Sequence, residues 1–389
     1  MTEKTNIPQG YKVSPLGMIP KEWEVKRLGE FAPLQRGYDL PTDKIVRGEY
    51  PVVYSNGILN YHYEYKAKGP GVVTGRSGTI GKVTFVESNY WPHNTSLWVT
   101  DFKGNNPKYV FHLYSYINLS KFASGSGVPT LNRNDVHASK FAIPPIHEQD
   151  KIVEVLDFWD TAIEKQSELI EKLKLRKRAL MQQLLTGKKR LPGFSGEWKR
   201  ISLKSIATEV SIKNKEDKDY TVLSCTKHDG LVPSLEYFGK QIYSNDLGNY
   251  KIVPMHHFAY ATNHIEEGSI GYQSKYEYGL ISPMYTVFKT AKDVIDDNFL
   301  FAVLKSHHLI YLYQSMMEGS INRRGGLRWD SFSTIKIDLP PLNEQKAIST
   351  FLKDADKEIE LANEKLASMQ SQKRGLMQQL LTGRKRIIG

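Results

Sequence analysis

Two stretches of this chain place apolar residues alternately four and three positions apart. In the first they are Ile152, Leu156, Trp159, Ile163, Ile170, Leu173, Leu180 and Leu184, with Gln166 and Lys177 interrupting. In the second they are Ile348, Leu352, Ala355, Ile359, Ala362, Leu366, Met369, Leu376 and Leu380, with Lys373 interrupting. A stripe sustained over about five heptads predicts a long helix that buries one seam against another helix, rather than an ordinary surface helix. Both stripes are fenced. Pro144-Pro145 and Pro340-Pro341 forbid helix before the start, and Gly187 and Gly383 stand where C-terminal caps belong.

The two stripes are one sequence written twice, 196 residues apart. The first copy opens Pro144-Pro145-Ile146-His147-Glu148-Gln149 and closes Leu184-Leu185-Thr186-Gly187; the second opens Pro340-Pro341-Leu342-Asn343-Glu344-Gln345 and closes Leu380-Leu381-Thr382-Gly383. Two seams that share register and length most simply satisfy each other. An antiparallel pairing would give the chain a pseudo-twofold axis and return its C-terminal segment to the N-terminal lead. That lead is also repeated, since Glu22-Trp23 with Leu28 recurs as Glu197-Trp198 with Leu203.

Between the repeats lie two unlike blocks. Short β-rich runs occur in both: Lys82–Val86 and Ser96–Val99, then Phe258–Ala261 and Tyr285–Phe288. Each block holds a glycine-bracketed turn, Gly78-Thr79-Ile80-Gly81 and Gly268-Ser269-Ile270-Gly271, and the second ends in a predicted helix from Asn298 to Leu312. The expected fold class is α/β (α+β): two mixed domains separated by two long helices that form an antiparallel coiled coil. The expected boundaries are 1–143, 144–190, 191–339 and 340–389.

A formal charge of +11 and a pI near 9.3 favour a polyanionic partner, nucleic acid first and an anionic membrane second. No apolar run approaches a membrane span, and the segment Met1-Thr2-Glu3-Lys4-Thr5-Asn6 has no signal-peptide core, so a cytoplasmic protein is expected. With Cys225 as the only cysteine, no internal disulfide and no multi-thiolate metal site can form.

Catalytic motifs fail on inspection. Arg76-Ser77-Gly78-Thr79-Ile80-Gly81-Lys82 is shaped like a phosphate loop, but Arg76 stands at its first glycine and Val83 at the magnesium-binding hydroxyl. His147-Glu148 begins a zinc-protease string whose second histidine position is Lys151. Ser282-Pro283-Met284-Tyr285 is similar to the tetrapeptide with which amino-methyltransferases grip a flipped base, without its second proline. No Gly-rich strand-to-helix loop for S-adenosylmethionine is present. The chain is expected to be no enzyme, with no metal of its own.

The repeated helices, their Glu-Gln starts, their Leu-Leu-Thr-Gly ends and the lead Tyr11-Lys12-Val13-Ser14-Pro15-Leu16-Gly17-Met18-Ile19-Pro20 through Trp23 carry a resemblance. The chain resembles the DNA-specificity subunit of type I restriction–modification enzymes over nearly its whole length, most closely along the helices. The resemblance implies a non-catalytic subunit with two target-recognition domains, each reading one half of a split duplex-DNA site, and helices that act as the ruler between them. It further implies two methyltransferase subunits docked on the helices and restriction/translocase subunits joining that core. S-adenosylmethionine, ATP and magnesium would then sit on those partners. A fused restriction–methyltransferase half and a coiled-coil scaffold without a DNA role are the alternatives.

Lys and Arg on phosphates would supply affinity, and side chains at base edges specificity. In the first domain the candidates are Arg76, Ser77, Thr79 and Lys82 around the turn, then Asn132, Arg133 and Asn134. In the second they are Asn263, His264, Ser269, Gln273, Ser274 and Lys275, followed by Asn322, Arg323, Arg324 and Arg328. Asn and Arg suit bidentate contacts to adenine and guanine. The run Lys172 to Arg190 holds eight Lys or Arg and no carboxylate; it would either track a DNA backbone or face an acidic partner.

Overall fold

The computed structural model describes residues 7–125, 128–318 and 326–387. It divides into two compact units, one of residues Met1–Glu168 with Asn363–Gly389 and the other Leu169–Ala362. The long helices span Ile146–Leu184 and Leu342–Leu381, close to their sequence limits. The units do not follow the boundaries expected from sequence. Each takes half of each long helix, together with one lead and one variable domain.

Within unit 1 the early part of the first helix packs antiparallel to the late part of the second: Glu148 meets Arg386, and Asp160 meets Lys373. Unit 2 repeats this with the roles exchanged, since Arg190 meets Glu344, Lys177 meets Asp356 and Arg176 meets Glu358. The apolar seam is buried at Ile152, Leu156 and Leu380 in unit 1, and at Ile170, Leu173, Leu184, Ile348 and Leu352 in unit 2. Trp159, Ile163, Leu366, Met369 and Leu376 in unit 1, and Leu180 and Ile359 in unit 2, are half-buried. The polar interruptions are part of the seam rather than gaps in it. Gln166 is buried, and Lys177 and Lys373 lay their methylene stems along it while their ammonium groups reach Asp356 and Asp160. The basic run Lys172–Arg190 is partly neutralised within the chain: Lys177 and Arg190 are half-buried in ion pairs, and Lys174 and Arg176 form exposed ones.

The repeated motif residues lock each helix start to its lead. Glu148 is buried and accepts from the Trp23 indole Nε1 at 2.9 Å and from Arg386 Nη2 at 2.8 Å and Nε at 3.1 Å. Glu344 does the same for Trp198 at 3.3 Å and Arg190 at 2.5 and 2.6 Å. Gln149 and Gln345 donate back to the carbonyls of Pro144 and Pro340, at 2.9 and 2.8 Å. Gly383 takes φ +70 against Pro20 and Trp23, where a Cβ would sit 2.6 Å from Pro20 Cδ, so this cap admits only glycine.

Each variable domain is built on an antiparallel four-stranded sheet of the same order. In unit 1 the order is Leu34–Arg36, Ser96–Val99, Gly71–Gly75, Val83–Val86; in unit 2 it is Ala207–Val210, Tyr285–Thr290, Phe258–Ala261, Ile270–Tyr272. Buried aromatics fill the space under each sheet, including Phe31, Tyr109 and Tyr114 in unit 1 and Phe258, Phe288, Phe299 and Tyr313 in unit 2. The helix expected over Asn298–Leu312 is two helices, Asp297–Leu304 and His307–Glu318. The break has a local cause. The Lys305 ammonium is held by the carbonyls of Lys227 and Gly268, both at 2.7 Å, and the Ser306 hydroxyl accepts from Leu309 N at 3.4 Å, starting a new helix.

Candidate DNA interface

In unit 1 the loop after Gly71–Gly75 folds back on the strand it leaves. A Cβ on Gly75 would stand 1.7 Å from the Thr79 carbonyl, so the position excludes every larger residue. The Arg76 carbonyl accepts from Leu131 N at 2.7 Å, which stitches the strand end to the segment preceding the short helix Arg133–Ala138. Arg36, Arg76, Asn132, Arg133 and Asn134 then line one open cavity of about 400 Å³. Four of the seven residues expected from sequence meet there.

Their roles differ. Asn132 is the helix N-cap, its side chain accepting from Asn134 N at 3.0 Å, and Arg76 Nη1 donates to the Asn94 carbonyl at 3.2 Å. Arg36 pairs with Asp39 at 2.9 Å, while the Arg133 and Asn134 side chains are exposed. Ser77, Thr79 and Lys82 do not line the cavity. The Lys82 ammonium is committed to the Asn56 carbonyl at 2.5 Å, and the loop runs from strand to strand, not from strand to helix as a phosphate loop would. Sequence reasoning missed Arg36, which only the pairing of Leu97 with Arg36 across the sheet brings to this place.

Unit 2 builds the same place from different side chains. The Thr262 carbonyl accepts from Leu327 N at 2.8 Å, the counterpart of the Arg76–Leu131 bond. Asn263, Arg328, Trp329, Asp330, Glu209 and Lys251 line a cavity of about 460 Å³ here. The Lys251 ammonium donates to the Tyr285 carbonyl at 2.6 Å, and burial pushes it below the ordinary lysine value. Among the sequence candidates that fall in the described residues, Asn263 and Arg328 reach this cavity.

Two of the remaining unit 2 candidates, Ser269 and Gln273, are corrected by the structure. Gly268-Ser269-Ile270-Gly271 falls in the same strand-to-strand connection as the first turn but is shaped differently: Gly268 closes a 3-10 turn over Ile265–Glu267, and Ile270 already pairs with Tyr260 in the sheet. Ser269 and Gln273 are therefore buried, at 7% and 2% exposure, and cannot meet DNA in the folded chain. His264 lies 3.7 Å from Glu267, Ser274 lines a separate groove, and Lys275 is exposed outside the cavity. Asn322, Arg323 and Arg324 lie outside the described residues.

A second polar cluster in unit 1 ties its domain to the first long helix. His112 is fully buried, and its Nε2 lies 2.9 Å from Asp157 Oδ1, whose other oxygen accepts from Lys108 at 2.7 Å. An ionised carboxylate only accepts, so Nε2 carries the proton. With Asp160 nearby the cluster has the makings of a metal site, but Lys108 and Lys373 already supply cations to both carboxylates. Burial lowers the His112 imidazole below its ordinary value and Lys373 acts the same way, against the pull of Asp157 and Asp160. Burial alone would raise Asp157, but hydrogen bonds from Lys108 and His112 hold it below the usual carboxylate range. Both depressed groups bind protons more readily when unfolded, so stability falls with pH, through His112 below about pH 6.5 and through Asp157 below about pH 4. Amide exchange of Pro107–Tyr116, corrected for intrinsic rate, should rise as pH falls below about 6.5, by at most about tenfold per pH unit. The corresponding helix Asp297–Leu304, with Ala302 in place of His112, should not respond. Equal responses in the two helices would defeat the assignment.

The comparisons agree with this architecture. The family model of the type I restriction modification DNA specificity domain matches twice, over residues 20–175 and 196–370. The chain belongs to that family. The type I restriction enzyme MjaVIII specificity subunit of Methanocaldococcus jannaschii is 23% identical, over 95% of this chain and 94% of that protein. The EcoprrI specificity subunit of Escherichia coli is 28% identical over 36% of each. Among solved structures, the type I S subunit from M. genitalium superposes with TM-score 0.56 at 14% identity, covering 98% of both chains. A chain solved for complex assembly and conformational transition of the type I R-M system gives 0.59 at 15% identity, covering 94% of this chain and 99% of that one.

Proposed function

We propose that this chain is the DNA-specificity subunit of a type I restriction–modification assembly, and that each unit reads one half of a bipartite duplex target. The observation that carries this is the strand-end cavity, made twice by the same backbone connections and lined by Arg and Asn in both units but with different neighbours. One scaffold bearing two unlike polar surfaces suits two different half-sites. Arg76, Arg133 and Asn134, joined by Arg36, are the base- and phosphate-facing groups of the first; Asn263, Arg328 and Asp330 are those of the second. The subunit is non-catalytic and acts in the cytoplasm. Two methyltransferase subunits and restriction/translocase subunits are its partners and carry S-adenosylmethionine, ATP and magnesium. No helix among the described residues is long and apolar enough to cross a membrane.

Arg133→Ala should weaken binding of the cognate duplex by about 1–3 kcal/mol and relax bases in one half-site only. Arg328→Ala should do so in the other half. Genome-wide methylation mapping of each variant checks this. Loss of both half-sites together, or neither, would remove these residues from base reading.

A further inference from the structure

The two units treat the same helix positions in opposite ways. In unit 1 the first long helix presents Asp150 and Asp157, and the domain of that unit answers them: Asn106 Nδ2 donates to Asp150 at 2.7 Å, and Lys108 and His112 hold Asp157. At the repeat, Lys346 and Lys353 stand in place of these carboxylates. The facing helix changes too. Asn106 and Asp296 are matched N-caps, because their backbone amides donate to Gln149 and Gln345 at 3.0 and 2.8 Å. Counted from them, Lys108 becomes Asn298 and His112 becomes Ala302.

Loss of the imidazole and the reversal of charge have a visible result. Lys346 and Lys353 are exposed and enter no ion pair among the described residues. With Lys227 they border a groove of about 1010 Å³ within unit 2, whose apolar lining includes Phe301, Ala302, Ile310 and Leu352. Two of its carboxylates are already engaged, Asp356 by Lys177 and Asp296 by Ser349 Oγ at 2.5 Å and Phe299 N at 2.9 Å.

We propose that this groove docks one acidic segment of a protein partner, with an apolar side chain on its floor and carboxylates against Lys346 and Lys353. It takes one copy per chain, because unit 1 closes its own version with Lys108, His112 and Asp157. The proposal rests on the multisubunit reading above and deepens it by making the assembly asymmetric at this face. A nucleic-acid backbone is the poorer occupant. A sugar–phosphate chain has little to set against the apolar floor of Phe301, Ala302, Ile310 and Leu352, whereas a peptide segment can place an apolar side chain there.

The test uses the full chain reconstituted with its methyltransferase and restriction subunits, with target-duplex affinity measured separately by fluorescence anisotropy. Lys346→Glu with Lys353→Glu should weaken retention of one partner copy at least tenfold, read by native mass spectrometry, and leave duplex affinity within twofold. A second variant, Asn298→Lys with Ala302→His and Lys353→Asp, rebuilds the closed arrangement of unit 1 and should lose the same copy. Unchanged stoichiometry and affinity in both variants would overturn the proposal. So would a tenfold loss of duplex affinity with assembly intact, which would assign these lysines to DNA. Failure of the wild-type chain to bind duplex at all would count against the recognition reading alone.

Discussion

Lengthening both long helices by one heptad, after Glu168 and after Ala362, should widen the gap between the two half-sites by about three base pairs and leave their bases unchanged. Seven helical residues add about 10 Å, against about 3.4 Å per base pair. The inserts must be paired. Asp160 meets Lys373 in one unit and Lys177 meets Asp356 in the other, and each helix runs through both units. An insert in one helix alone leaves its partner a heptad short, so both ion pairs and the seams beside them cannot form at once. A single insert just before Gly187 would move Arg190 away from Glu344 and break the lock on the second lead. Inserts at the unit boundaries avoid this and preserve the heptad phase. Methylation mapping reads spacing and bases together. Changed bases at constant spacing would sink the ruler reading.

Glu148→Ala should destabilise unit 1 by about 3 kcal/mol, because it leaves the Arg386 guanidinium without its buried partner and the Trp23 N–H without an acceptor. Glu148 also lifts Arg386 above the ordinary guanidinium range, together with Glu22. Glu148→Gln keeps a neutral acceptor for the indole but loses the charge, so a smaller loss is expected. Urea unfolding followed by tryptophan fluorescence gives both values. Glu344→Ala is the matched change in unit 2, where Trp198 and Arg190 lose the same acceptor. A shift for Glu148→Ala below about 0.5 kcal/mol would show the lock to be ornamental.

The parts legible from sequence are those governed by local repetition. A four–three alternation of apolar residues specifies a helix and its buried stripe wherever the chain goes, and proline before with glycine after specify its ends. Internal repetition then showed that one scaffold occurs twice, and the family resemblance followed from those repeated residues. The short strands Ser96–Val99 and Phe258–Ala261 were also readable, because β-rich runs bounded by turn residues carry a local signal.

What only the tertiary structure decided depends on partners distant in sequence. Lys177 and Lys373 read as breaks in the seam until Asp356 and Asp160 are placed beside them. Glu148 and Glu344 read as markers of a helix start, although their work is to hold a tryptophan and an arginine from elsewhere in the chain. Gly268-Ser269-Ile270-Gly271 has the spacing of the first turn but runs from a 3-10 turn into a strand, since register against Phe258–Ala261 and not glycine spacing sets which residues face out. Arg36, Arg76 and Arg133 come together only where three separate elements end at one place. Local pattern specifies an element's type and its buried face; which charges and polar groups then meet is a property of the packing, because a Coulomb or hydrogen-bond partner is chosen by distance in space and leaves no period along the chain.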